Sequence, residues 1–261
     1  MTGRRMRLGN RNTGLFAGFA VAAVLSAFPV AAADDGFAVS LLKPLSFADG
    51  VVAGSVAIAD IPDLMRRPVS TGANPDLEGV QLTSREGGTR TVRTCEDYLE
   101  LVRSGWFADT TFDMTNESPF NFTCVTLAFL AGATAPRLSF IDDPRVGVGD
   151  LELLPATVLP AVADAERLHL KELAAKGKTV ADLIDPGAPS NRVEPHETRY
   201  RYQGMEQVLS ELARADFDGD GVADILVFVT DSSLNGSYRA AYHLVLTRKA
   251  PNAAFSLLPD E

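Results

Sequence analysis

Residues 215–228 read ADFDGDGVADILVF. Four aspartates, Asp216, Asp218, Asp220 and Asp224, stand at positions 1, 3, 5 and 9 of a loop with Gly219 and Gly221 at positions 4 and 6. Four like charges this close repel one another unless a cation lies between them. Calcium takes roughly six to eight oxygen ligands in a flexible cage, whereas magnesium demands a stricter, water-rich octahedron. Alternate positions of a tightly curled loop turn their carboxylates inward, and the carbonyl of Val222 at position 7 offers a neutral oxygen. The pattern predicts a calcium site made of Asp216, Asp218, Asp220, Val222 and Asp224. The plainer alternative is a solvated acidic turn. A helix–loop–helix site would need a glutamate at position 12, and that position is Val227, inside the apolar run ILVFV. A β-branched run of this kind suits a strand, so the loop is expected to join two strands, with VLSELARADF (208–217) before it read as a strand in preference to a helix.

The segment DFDGDGVADILVF (216–228) resembles the calcium loops of FG-GAP and VCBS-type repeats, known from integrin-like β-propellers, in which D-x-D-x-D-G-x-x-D runs directly into a strand. The resemblance implies Asp216, Asp218, Asp220 and Asp224 as side-chain ligands and Val222 as a backbone ligand. It covers 13 residues of 261. The chain has one such loop and no internal repeat, and a propeller needs several blades in a ring, so a propeller is not expected.

Around the loop the texture is β. HETRYRYQG (196–204) alternates, with His196, Thr198, Tyr200 and Tyr202 on one face and Glu197, Arg199 and Arg201 on the other. ILVFVTD and YRAAYHLVLTR flank Asn235-Gly236, a strong hairpin signal. DPGAPSNRVEP (185–195) holds three prolines in eleven residues and is the best place for a weak domain boundary.

Further upstream the chain reads as helices. TCEDYLELVRSGW (94–106) has Thr94 as N-cap and Gly105 as stop, with Cys95, Leu99 and Val102 on one stripe. SPFNFTCVTLAFLAGA (118–133) reads as a second helix capped by Ser118, with Pro119 in its first turn and Phe120, Cys124, Leu127 and Leu130 or Ala131 as its apolar stripe. The intervening FADTTFDMTNE reads as an ordered connection. Each cysteine sits on a face its helix buries, so Cys95 and Cys124 are expected to form a disulfide between the two helices. AVADAERLHLKELAAKGKTVADLI (161–184) is a helix ended by Gly177, with Thr179 opening a shorter one. Its GKT is not a phosphate loop, because Glu172 stands where that motif needs glycine. Residues 37–61 read as one or two strands, 62–90 as mostly loop, and 137–160 as one short strand among prolines.

The first 33 residues have the form of a Sec-type signal peptide: Arg4, Arg5, Arg7 and Arg11, the apolar run Leu15–Phe28, and Ala31 and Ala33 before Asp34. Residues 34–261 are then one α+β domain: a disulfide-linked helix pair and a C-terminal antiparallel β-sheet carrying one calcium loop. Taking the four leader arginines from 24 basic residues against 34 acidic leaves a net charge of −14. Such a polyanion does not suit nucleic acid, and no later stretch is apolar enough to span a membrane.

Catalytic patterns are scarce. Neither G-x-S-x-G nor H-E-x-x-H occurs. Glu194, His196 and Glu197 in EPHETRY are the sharpest acid–base candidates; His169 sits on a charged helix, His243 inside a strand, and Trp106 reads as a core anchor. The function expected is that of an exported, periplasmic bacterial protein, non-catalytic, binding a partner that is unknown or belongs to the envelope. An exported hydrolase and an envelope assembly or adhesion component are the alternatives.

Overall fold

In the computed structural model, residues 36–71, 78–185, 191–194 (backbone only) and 196–259 are described. The expected leader and most of the proline-rich stretch at 185–195 lie outside the described residues. The N-terminal part opens with an antiparallel hairpin, β1 (Ala38–Ser46) and β2 (Val52–Ala57), followed by a short helix α1 (Ile61–Met65). A second hairpin, β3 (Val80–Thr83) and β4 (Thr89–Val92), lies in the region expected to be loop. Its strands are four residues each, and the Pro- and Gly-rich text around them hides so short an alternation.

Helix α2 (Cys95–Arg103) starts where the sequence places it, with the Thr94 hydroxyl accepting the Asp97 amide at 3.3 Å. Its buried stripe is Cys95, Tyr98 and Leu101; Leu99 is only partly covered and Val102 is exposed. The second cysteine helix begins earlier than Ser118. Thr110 caps α3 (Thr111–Phe120), accepting the Asp113 amide at 3.1 Å, so most of the expected connection is helical. Pro119 therefore lies inside the helix, where it supplies no amide to the preceding turn. One π turn, Asn121–Val125, follows it and leads into α4 (Thr126–Ala131). Phe120, Cys124, Leu127 and Leu130 are all buried, as the periodicity requires, and Ala131 is exposed. Cys95 and Cys124 form the disulfide, closing a separation of 29 residues with Cα atoms 4.8 Å apart.

Residues 137–160 form turns and isolated bridges rather than a strand. Then come α5 (Asp164–Ala175), its first turn held by Glu166 accepting the Val162 and Ala163 amides, and α6 (Val180–Leu183). Gly177 ends α5 at φ +77°, a left-handed conformation that glycine adopts freely.

The rest is a six-stranded antiparallel meander: β5 (Asn191–Glu194), β6 (Glu197–Tyr202), β7 (Met205–Ala215), β8 (Asp224–Ser233), β9 (Arg239–Thr247) and β10 (Ser256–Leu257), each paired with its sequence neighbour. The stretch before the aspartate loop is thus a strand. Alternation fixes which side chains go where. Ile225, Val227 and Val229 of β8 join a cluster with Leu209, Leu244, Leu246, Leu154 and Leu170, while Leu226 and Phe228 join one with Phe120, Leu127, Leu130 and Tyr98. Covered on both faces, β8 reads as an unbroken apolar run instead of an alternating one. A bulge between Glu211 and Ala213 lets Leu212, Ala213 and Ala215 all join the helix-side cluster. A fully buried leucine such as Leu212 contributes about 1.5–3 kcal/mol, and an alanine methyl roughly 0.8 kcal/mol. Strand β1 is tied to the sheet by Lys43, whose Nζ meets Glu197 Oε2 at 2.6 Å and Ser210 Oγ at 2.9 Å. Among the described residues no helix is long and apolar enough to cross a membrane.

Candidate metal centre

The aspartate loop is the turn between β7 and β8, whose last pair is Ala215 with Asp224. Gly219 and Gly221 both take left-handed φ, +77° and +85°, which curls the loop back on itself. The carboxylates wrap the backbone they belong to. Asp216 Oδ1 accepts Gly219 N at 2.8 Å and its Oδ2 accepts Gly221 N at 2.8 Å. Asp218 Oδ1 accepts Asp220 N at 3.1 Å, and Asp220 Oδ1 accepts Val222 N at 2.7 Å. Asp224 Oδ2 reaches back to Phe217 N at 3.0 Å. These bonds bring one oxygen each of Asp216, Asp218 and Asp224 within 4.8 Å of one another.

Asp216 and Asp224 are buried, Asp218 and Asp220 face solvent. Asp224 is fully inaccessible; its Oδ1 makes no hydrogen bond of ordinary geometry, and the polar group that acts on its side chain from across the β8–β9 pair is the Thr247 hydroxyl, likewise buried without a close partner. A buried carboxylate oxygen without such a bond is costly. Burial pushes the Asp224 carboxyl above its ordinary range, and the charges of Asp218 and Asp216 push it the same way. A cation among the three carboxylates removes both costs, and an all-oxygen donor set is the set calcium takes. The residues present therefore fit the ion. Of the five expected ligands, three converge. Asp220 turns toward Lys249, and Val222 lies where the chain docks on a neighbouring segment.

That docking involves residues that sequence reasoning did not single out. Thr134 and Asp216 exchange backbone hydrogen bonds (2.9 and 3.0 Å), and Thr134 Oγ1 donates to Asp216 Oδ2 at 3.1 Å. The amides of Arg137 and Leu138 both donate to the Gly221 carbonyl, and Ala223 N donates to Leu138 O. A Cβ on Gly221 would lie 2.6 Å from the Arg137 guanidinium, the far end of a flexible side chain, which would have to move aside. On the other side Lys249 Nζ contacts Asp218 Oδ2 at 3.1 Å and Asp220 Oδ2 more closely still. These partners lie tens of residues away in sequence, where no local periodicity signals them.

Among the described side chains, the acid–base candidates His196 and Glu197 take different partners. His196 Nδ1 lies 3.0 Å from Arg145 Nη2 and 3.8 Å from Glu211 Oε2. Glu197 instead pairs with Lys43 and Ser210, whose contacts outweigh burial and hold its carboxyl below the usual range. Glu194 pairs with Glu197 across β5 and β6, and its side chain lies outside the described residues. His169 is exposed on α5, and Trp106 packs half-buried at the edge of the helix-side cluster with Arg90 over its ring. Sequence reasoning passed over Glu211, a buried carboxylate on β7 held by Arg214 Nε at 2.7 Å and Arg145 Nη2 at 3.1 Å. Arg214 also donates to the carbonyls of Ile141 and Val146 and to Asp142. The contacts to Arg145, Ile141, Val146 and Asp142 strap segment 141–146 to the sheet. No protein-family model matches the chain, and neither a curated protein nor a solved structure matches it.

Proposed function

We propose that the loop 216–224 holds one structural calcium ion and that the chain is an exported protein of the bacterial envelope whose role is to bind a partner rather than to catalyse a reaction. The observation that carries the calcium reading is the convergence of one oxygen each of Asp216, Asp218 and Asp224, with the Asp224 carboxylate buried and its Oδ1 lacking a hydrogen bond of ordinary geometry. Asp220 and the Val222 carbonyl complete the ligand set that the FG-GAP-like pattern implies. The ion supplies positive charge where three carboxylates meet; the chain supplies a curled, hydrogen-bonded loop that presents those carboxylates from one strand end to the next. Its location at the β7–β8 turn makes it a clamp on that hairpin.

Export is supported by the signal-like text of residues 1–33 and by the Cys95–Cys124 disulfide, a bond that persists in oxidising compartments. A second reading, an envelope assembly or adhesion component, is favoured by one stretch: Phe107, Phe112 and Met114 are exposed large apolar side chains within eight residues of chain.

Thermal unfolding with calcium and with EGTA tests the ion. Saturating calcium at about a hundred times its dissociation constant adds roughly 2.7 kcal/mol, or about 5–10 °C for a chain of this size. Asp218→Ala removes most of that response. An EGTA curve that superimposes on the calcium curve overturns the calcium reading.

A further inference from the structure

The ammonium of Lys249 sits on the rim of the aspartate loop, 3.1 Å from Asp218 Oδ2 and in closer contact with Asp220 Oδ2. Its position is set by its neighbours. Thr247 is the β9 partner of Asp224, so Lys249 follows two residues beyond the strand end that faces the loop. Arg248, between them, is buried, and its guanidinium donates to Ala253 O at 2.8 Å, to Phe140 O at 2.7 Å and to Pro251 O. Three carbonyls thus pin the backbone from which Lys249 reaches out. The lysine is half-exposed, yet it is directed at the two solvent-facing carboxylates of the loop and makes no contact with the buried pair, Asp216 and Asp224.

We infer that Lys249 is a built-in counter-cation of this loop, which competes with the divalent ion for Asp218 and Asp220 and so sets the affinity of the site. The inference rests on the calcium reading above. A lysine carries one charge and donates hydrogen bonds; it satisfies the outer carboxylates but makes no contact with the buried Asp224 carboxylate. A divalent ion reaches all of them. The loop therefore has two arrangements. In one, Lys249 covers the outer aspartates. In the other, those aspartates turn to the ion and Lys249 releases at least Asp218. The strength of the divalent site is the difference between the two, so the lysine weakens calcium binding while protecting the ion-free loop from its own repulsion.

The test is calorimetric titration of calcium chloride into the protein stripped of divalent ions, comparing wild type with Lys249→Met, Lys249→Gln and Lys249→Arg. Losing one positive charge at the rim of the loop is expected to tighten calcium roughly tenfold in the two neutral variants, given the screening of a surface site. Lys249→Arg keeps the charge and stays near wild type. In EGTA the neutral variants melt below wild type, and in calcium they regain the difference. Calcium binding by the neutral variants alone would be the same competition in its extreme form. Equal affinities in wild type and both neutral variants overturn the Lys249 inference and leave the calcium site standing. Absence of binding in all four proteins overturns both.

Discussion

The ring of His243 on β9 is hydrogen-bonded to Thr126 of α4, with Nε2 3.0 Å from Oγ1, across 117 residues of sequence. The Thr126 hydroxyl spends its only proton on the Phe122 carbonyl at 2.6 Å, so Nε2 must be the donor and the ring is the Nε2–H tautomer. Nδ1 is then a bare, buried lone pair, and Phe228 and Phe129 pack close to the ring (centroids 5.1 and 6.0 Å away). Burial lowers the imidazole to about 4 from its ordinary 6.5. Because the folded value is depressed, the unfolded chain takes up a proton first as pH falls. Stability at this site is intact above pH 6.5 and is lost progressively down to about 4, by roughly 2–4 kcal/mol. His243→Phe, measured by denaturant titration at pH 7.5 and 5, is expected to be less sensitive to the acid step than wild type. Identical losses in the two proteins would refute this.

Asp231 gives the opposite slope. It lies buried on β8, accepting Gln207 Nε2 at 2.7 Å and the Tyr242 hydroxyl at 3.2 Å, and Gln207 in turn takes the Tyr200 hydroxyl. Among the described residues no cation touches this carboxylate, and burial raises its pKa, outweighing the bonds from Gln207 and Tyr242. A raised folded value means the cost of the charge is absent below the ordinary 3.8 and grows as pH rises through the folded value. Asp231→Asn keeps the acceptor for Gln207 and removes the charge. The variant is expected to equal or exceed wild type in melting temperature at pH 7, with the advantage fading at pH 4. A loss at pH 7 would show that the charge is worth more to the Tyr–Gln network than its burial costs.

Reduction of Cys95–Cys124 is expected to cost about 3–4 kcal/mol, from the freedom regained by a loop of this length in the unfolded chain. The paired variant Cys95→Ala, Cys124→Ala should melt roughly 10 °C below wild type. Intact mass without reductant should fall short of the dithiol by its two hydrogens, and free thiols on both residues would contradict the bond.

Gly221→Ala places a methyl on a left-handed residue, against the Arg137 guanidinium. The expected loss is on the order of 1–3 kcal/mol. The same change at Gly219, also left-handed but with open space around it, should cost less. Equal losses would mean that backbone strain alone, without the Arg137 contact, sets the cost.

What the sequence made legible follows period and distance. Cys95 and Cys124 could be placed on buried faces because helical stripes repeat every few residues. Val227 could exclude a helix after the aspartate loop because one residue type at one position decides it. The start of α3 was missed because Thr110-x-x-Asp113, a sound cap, lies inside polar text that also reads as a turn, while Ser118-Pro119 offers a rival start. Thr134, Arg137 and Lys249 were invisible for another reason: each meets the loop from a distant part of the chain, where only the folded backbone creates the neighbourhood. Asp216, Asp218, Asp220, Val222 and Asp224 were chosen as a set, and burial then sorted them into an inner pair and an outer pair, a division that spacing alone cannot express.

Strand β8 gives alternate residues to two different apolar clusters, Ile225, Val227 and Val229 to one, Leu226 and Phe228 to the other. The chain passes from the cluster of Leu226 and Phe228, which it leaves at Ala133, to the cluster of Ile225, Val227 and Val229, which it joins at Ile141, along the edge of the loop that begins this same strand. Neither cluster can therefore dissolve by itself: pulling β8 away empties both, and keeping it in place preserves a wall of each. Melting should accordingly be all-or-none across the whole described body, one transition instead of two, with the loop at the head of β8 as the place where both halves lose their common boundary.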